Sequence, residues 1–96
     1  MIRHIVFFKF KDNATEADQQ GLIDDLLALK DKIPLIKELE VGTDVAKKPN
    51  SFDLALNSVF NTLAEVGEYA VHPEHVLVVE KVNALCKERA SVDFEF

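Results

Sequence analysis

The stretch Ile2-Arg3-His4-Ile5-Val6-Phe7-Phe8-Lys9-Phe10 decides the fold. It is dense in β-branched and aromatic residues, which suit an extended, pleated surface, so it reads as a strand. Successive side chains of a strand point to opposite faces. The even positions carry Ile2, His4, Val6, Phe8 and Phe10; the odd positions carry Arg3, Ile5, Phe7 and Lys9. Both faces are therefore apolar at their centre, and such a strand belongs to a sheet covered on both sides. The bulkier even set is expected under the chain's own helices. Ile5 and Phe7 then lie on a face that needs a separate cover.

Working outward, Lys11-Asp12-Asn13 forms a polar turn, and Thr15 followed by Asp18 reads as a capping box with a helix starting near Glu16. Leu22, Leu26, Leu29 and Ile33 repeat at helical spacing, with Ile23 and Leu27 widening the stripe. Pro34 ends that pattern by disfavouring helical geometry in the residue before it. Leu35 to Val45 sets Lys37, Leu39 and Val41 against Glu38, Glu40 and Gly42, the alternation of a half-buried strand. A loop over Ala46 to Ser51 leads to a third strand, Phe52 to Phe60. Phe52, Leu54, Leu56, Ser58 and Phe60 fall on one side of it, and Asp53, Ala55, Asn57 and Val59 on the other.

A helix beginning near Asn61 or Thr62 is expected to turn Leu63, Val66 and Ala70 inward, and His72-Pro73 breaks it. Pro73 suits the first position of a new helix, where its missing N–H costs nothing. In that helix His75, Val79, Val82 and Cys86 form one stripe, and a final strand runs from Ser91 to Phe96. The order is β-α-β-β-α-(α)-β, an α+β, ferredoxin-like arrangement with a four-stranded antiparallel sheet and helices on one face.

The 96 residues suit one domain, residues 1–96, with a 48% hydrophobic composition that is globular rather than disordered. With 17 acidic against 11 basic residues, the charge of −6 argues against nucleic acid and anionic membrane as partners. The single Cys86 cannot form an intramolecular disulfide, which suits a reducing compartment. Met1 to Phe10 is too short and too charged for a signal-peptide core, and no run of about 18 apolar residues could span a membrane, so a cytoplasmic setting is expected.

The uncovered face predicts a homodimer. Burying Ile5 and Phe7 contributes roughly 1.5–3 kcal/mol each, so about 6–12 kcal/mol over two subunits. Association costs an estimated 4–15 kcal/mol, so Ala55, Val59 and interchain hydrogen bonds must help.

Polar groups at otherwise apolar positions are the candidates for chemistry. His4 lies on the helix-facing side of the first strand, Tyr69 near the end of one helix, and His75 in the first turn of the next. A proline corner separates the last two, which allows both to reach one pocket. His72 and His75 are spaced i, i+3, but Pro73 intervenes and no Cys, second His pair or Glu-x-x-His completes a metal set. Three glycines leave little material for a phosphate-binding loop. Cys86 reads as core.

The opening His4-Ile5-Val6-Phe7-Phe8-Lys9-Phe10-Lys11, the Val41-Gly42 pair and above all Tyr69-Ala70-Val71-His72-Pro73-Glu74-His75 resemble the stress-responsive A/B barrel (Dabb) family of the dimeric α+β barrel superfamily. The resemblance runs over essentially the whole chain, and the Tyr-x-x-His-Pro-x-His pattern carries most of its specificity. It implies that two subunits pair their sheets into a dimeric α/β barrel with the helices outside. A plant polyketide cyclase in this family performs an intramolecular aldol condensation without any cofactor. By that resemblance His75 is the general base, Tyr69 orients or polarises a carbonyl, and His4 matches a pocket histidine. Where the cyclase has a further pocket histidine in its third strand, this sequence has Leu54, which implies a less polar pocket.

Two functions from different classes follow. One is a small-molecule pocket between helices and sheet, lined by His4, Phe8, Leu54, Tyr69 and His75, that supports cofactor-independent proton abstraction with cyclase, isomerase or lyase outcomes. The other is a non-catalytic barrel in which His75 bonds a backbone carbonyl, Tyr69 is a core residue and His72 marks a helix boundary.

Overall fold

In the computed structural model, which describes residues 1–96, β1 (Ile2–Phe10) is an inner strand hydrogen-bonded on both edges. Around it the chain forms α1 (Glu16–Lys32), β2 (Glu38–Thr43), β3 (Leu54–Phe60), α2 (Leu63–Ala70), α3 (Pro73–Leu85) and β4 (Cys86–Glu95). The strands lie in the order β2-β3-β1-β4, every neighbouring pair antiparallel, which is the ferredoxin-like topology.

The even face of β1 does lie under the helices: Ile2, Phe8 and Phe10 are buried in one cluster with Leu54, Leu56 and Phe60 of β3. Leu22, Leu26 and Leu29 of α1 close over it from above, with Ile33 beyond the helix end. The α1 start is a full capping box, Asp18 N–H donating to Thr15 Oγ1 at 3.1 Å and Thr15 N–H to Asp18 Oδ2 at 3.1 Å.

Several boundaries differ from the sequence reading. The second strand starts at Glu38 rather than Leu35, because Pro34 leads into a turn in which Ile36 N–H donates to Ile33 C=O and the Ile36 side chain enters the core. The third strand starts at Leu54. Asp53 is spent on β1, its carboxylate accepting from Phe10 N–H at 2.8 Å and its own N–H donating to Phe8 C=O at 2.9 Å. Phe52 leaves the Leu54 side and sets its ring 5.9 Å from Phe7. In α2 the inward residues are Val66 and Tyr69, while Leu63 and Ala70 are exposed. Adjacent helical residues point roughly 100° apart, and the large tyrosine ring takes the inward position instead of Ala70.

The largest difference is at the C-terminal strand. Cys86 does not continue the α3 stripe; its N–H closes the helix on Val82 C=O and it opens β4 opposite Phe10. Pairing along the full length of β1 extends this strand back from Ser91 to Cys86, over a Lys-Glu-Arg run with no apolar alternation of its own.

The open face reads, in register, Glu38-Val59-Arg3-Phe94, Glu40-Asn57-Ile5-Val92 and Gly42-Ala55-Phe7-Ala90 across the four strands. Phe7, Val92 and Phe94 remain 38%, 46% and 43% exposed, so the bare apolar half lies on β1 and β4. Val59, expected to contribute to a subunit contact, is already buried within one chain, flanked in register by the long side chains of Arg3 and Glu38. Arg3 in turn donates to Asn57 Oδ1 at 3.2 Å and lies 4.5 Å over the Phe96 ring. No helix is long and apolar enough to cross a membrane.

Candidate functional site

Helices α2 and α3 meet at a tight corner built from the Tyr69 to His75 segment. His72 is the N-cap of α3: its backbone is extended, and its Nδ1 accepts from Glu74 N–H at 3.1 Å. His72 N–H donates to Tyr69 C=O at 3.1 Å, and Pro73 occupies the first helical turn. This places His75 in the first turn of α3, with its Nδ1 3.0 Å from Ala70 C=O. A carbonyl only accepts, so Nδ1 carries the proton, and in the neutral ring the free lone pair is on Nε2.

The Tyr69 ring lies 4.2 Å from the His75 ring, centroid to centroid, and 5.0 Å from Phe60. Tyr69 is 2% exposed, and its hydroxyl is a buried polar atom with no hydrogen-bond partner. Such orphans are uncommon because an unmade buried hydrogen bond costs about 1–3 kcal/mol. Burial holds the phenol proton, moving its pKa from 10.0 up to about 12. Burial also lowers the pKa of His75 from its usual 6.5. The Ala70 carbonyl opposes that shift, and the charges of His4, Arg89 and His72 add to it. The pair is thus a neutral imidazole beside a protonated phenol.

His4 enters from the sheet. Its ring is 6.0 Å from Tyr69, its Nδ1 lies 2.5 Å from Asp93 Oδ1 on β4, and its carbonyl accepts from Ser58 Oγ at 2.9 Å. A cavity of about 500 Å³ lies between α3 and the β1–β4 side of the sheet. His4, Phe8, Tyr69 and His75 all line it, together with Leu56 of β3 and an exposed rim of Arg89 and Ser91. Leu54 does not line it. Leu54 pairs with Phe8, whereas Leu56 pairs with Val6 and is one pleat nearer His4, so Leu54 is core and Leu56 takes the place expected for it.

The polar residues on this side of the sheet that sequence reasoning missed lie on β4. Arg89, Ser91 and Asp93 pair with Phe8, Val6 and His4 of β1 and so share their helix-facing side. The alternation Arg89-x-Ser91-x-Asp93 is visible in the sequence, but it points toward His4 only once the register with β1 is known. No three His, Cys, Asp or Glu side chains converge on one point that could hold a metal.

The chain belongs to the stress responsive A/B barrel domain family, whose model matches residues 2–96. Among proteins of known sequence it is 29% identical over 77 residues to olivetolic acid cyclase of Cannabis sativa, covering 78% of this chain and 76% of that one. It is 34% identical over 98 residues to a stress-response A/B barrel domain-containing protein of Arabidopsis thaliana, covering 98% of this chain but only 36% of that longer relative. Among solved structures it resembles a dimeric protein with a ferredoxin-like fold from Bacteroides fragilis, at a TM-score of 0.82 and 34% identity over 99% of this chain and 95% of that one.

Proposed function

We propose that this protein binds a small carbonyl compound in the cavity beneath α3 and removes a proton next to the carbonyl, without a cofactor. The observation that carries this reading is the buried, unpartnered hydroxyl of Tyr69, whose ring lies 4.2 Å from that of His75, the Nδ1 of which is committed to Ala70. His75 Nε2 takes the proton, the C–H electron pair moves into the carbonyl, and the Tyr69 hydroxyl donates a hydrogen bond to the enolate oxygen. The enolate then attacks a second carbonyl, regains a proton elsewhere or expels a leaving group, which are the cyclase, isomerase and lyase outcomes. The similarity to olivetolic acid cyclase supports the first of these.

The protein works as a dimer in this reading, with Ile5, Phe7 and Ala55 joined by Val92 and Phe94 against a second sheet to close an α/β barrel. The exposure of Phe7, Val92 and Phe94 and the dimeric Bacteroides fragilis relative support that pairing. Incubation of aryl ketones in D2O, followed by proton NMR, tests the chemistry. The wild type should exchange the protons next to the carbonyl of at least one compound, and His75→Ala should abolish that exchange while binding persists. Exchange equal to that of buffer across the series would overturn the assignment.

A non-catalytic barrel is the second reading, favoured by the structural use of His72 as a cap and of His75 as a donor to Ala70. It predicts that His75→Asn, which can keep the bond to Ala70, preserves everything the wild type does.

A further inference from the structure

We infer that the ligand of this cavity is anionic, a keto acid whose carboxylate is held by Arg89 at the rim; the inference rests on the cavity being a ligand site. Only two arginines occur in the chain. Arg3 is engaged by Asn57 and Phe96 on the open face. Arg89 has no salt-bridge or hydrogen-bond partner, although its neighbours on β4 do: Lys87 pairs with Asp12 at 3.0 Å and Glu88 with Lys9 at 4.0 Å.

The lining reinforces this. In a chain of net charge −6, no carboxylate lines the cavity, whose charged and titratable groups are Arg89, His4, His75 and the protonated Tyr69. The nearest acid along the same strand face, Asp93, is held by His4 at 2.5 Å. Ser91, two residues from Arg89 on that face, also lines the cavity and offers a hydroxyl donor. A guanidinium presents paired N–H donors that match the two oxygens of a carboxylate, and walls of Val6, Phe8 and Val78 suit an apolar body. With the carboxylate at the exposed rim, the carbonyl extends inward to the unpartnered Tyr69 hydroxyl, and the adjoining C–H lies toward His75. The substrate class is thus a short keto acid with an apolar or aryl body.

NMR titration of the full chain with phenylpyruvate, benzoylformate and benzoylacetate, each against its methyl ester, provides the test. At least one acid should bind about tenfold tighter than its ester, as expected for a charge-assisted contact. Arg89→Gln should erase that preference without weakening the ester, and Arg89→Lys should restore part of it. Added salt should weaken the acid more than the ester. Equal binding of every acid and its ester, or acid binding untouched by Arg89→Gln, would overturn the role of Arg89. Ester binding that is lost in Tyr69→Phe but kept in Arg89→Gln would then leave the carbonyl site standing alone. Failure of all six compounds to bind would overturn both.

Discussion

Tyr69→Phe removes one oxygen and leaves the ring. In the folded chain that hydroxyl is buried without a partner, and in the unfolded chain water solvates it. Leaving a buried donor unmade costs about 1–3 kcal/mol, so its removal should stabilise the fold by roughly 1–2 kcal/mol after a small loss of dispersion. The contacts with His75 at 4.2 Å and Phe60 at 5.0 Å belong to the ring and persist. At roughly 4–8 °C per kcal/mol for a domain of this size, Tm should rise by about 4–16 °C. Urea unfolding and thermal melts must be compared at one protein concentration, because self-association makes Tm concentration-dependent. The same variant should bind carbonyl ligands more weakly. Opposite signs for stability and binding mark a group retained for function at a cost in stability. A variant that is less stable than wild type by about 1 kcal/mol or more would show that the hydroxyl is hydrogen-bonded, and would refute its assignment as a waiting donor.

Tyr69 is the only tyrosine and there is no tryptophan, so alkaline titration of the tyrosinate absorbance reports on this one residue. Its native pKa of about 12 exceeds the unfolded 10.0 because burial penalises the anion, so stability should be unaffected by this group below pH 10 and decline as pH rises toward 12; ionisation near 10 in a still-folded chain would contradict this. His75 has the opposite sign: its native pKa lies below 6.5, so the unfolded chain binds more protons as pH falls past that value. Stability should decline over that fall and base-dependent exchange should fade with it; an imidazole NMR midpoint at or above 6.5 would be the contrary result. Phe94→Asp places a charge on the bare sheet face and should drive the sedimentation mass toward 10.8 kDa, whereas an unchanged larger mass would exclude that face as the contact. Thr15→Ala, which removes the α1 cap, should cost about 1 kcal/mol in urea unfolding.

Much of the fold was legible because single elements carry their own period. β1 alternates, the Leu22-Leu26-Leu29 stripe repeats helically, and the Thr15 and Asp18 capping box marks where α1 begins. Tyr69, His75, His4 and Phe8 stand out in the sequence as polar or aromatic residues set by one proline corner and one strand face, and the fold brings all four to the lining of one cavity. Leu54 was placed wrongly by one pleat, because nothing in a lone strand tells which of Leu54 and Leu56 will sit nearer His4. Val59 differs for a related reason: it is buried within one chain, and its register neighbours Arg3 and Glu38 lie on two other strands.

The sequence by itself determined that β1 is apolar on both faces and that a His-Pro corner joins two helices near a tyrosine. Those are local facts, set by side-chain alternation and by proline's backbone. Only the tertiary structure decided that β4 runs the whole length of β1. It thereby brings Arg89, Ser91 and Asp93 to the cavity side of the sheet and adds Val92 and Phe94 to the bare face. The Lys-Glu-Arg start of that strand has no apolar period to announce it. Its extended form comes from the hydrogen-bonding edge that β1 offers, and an edge exists only once the rest of the sheet is built.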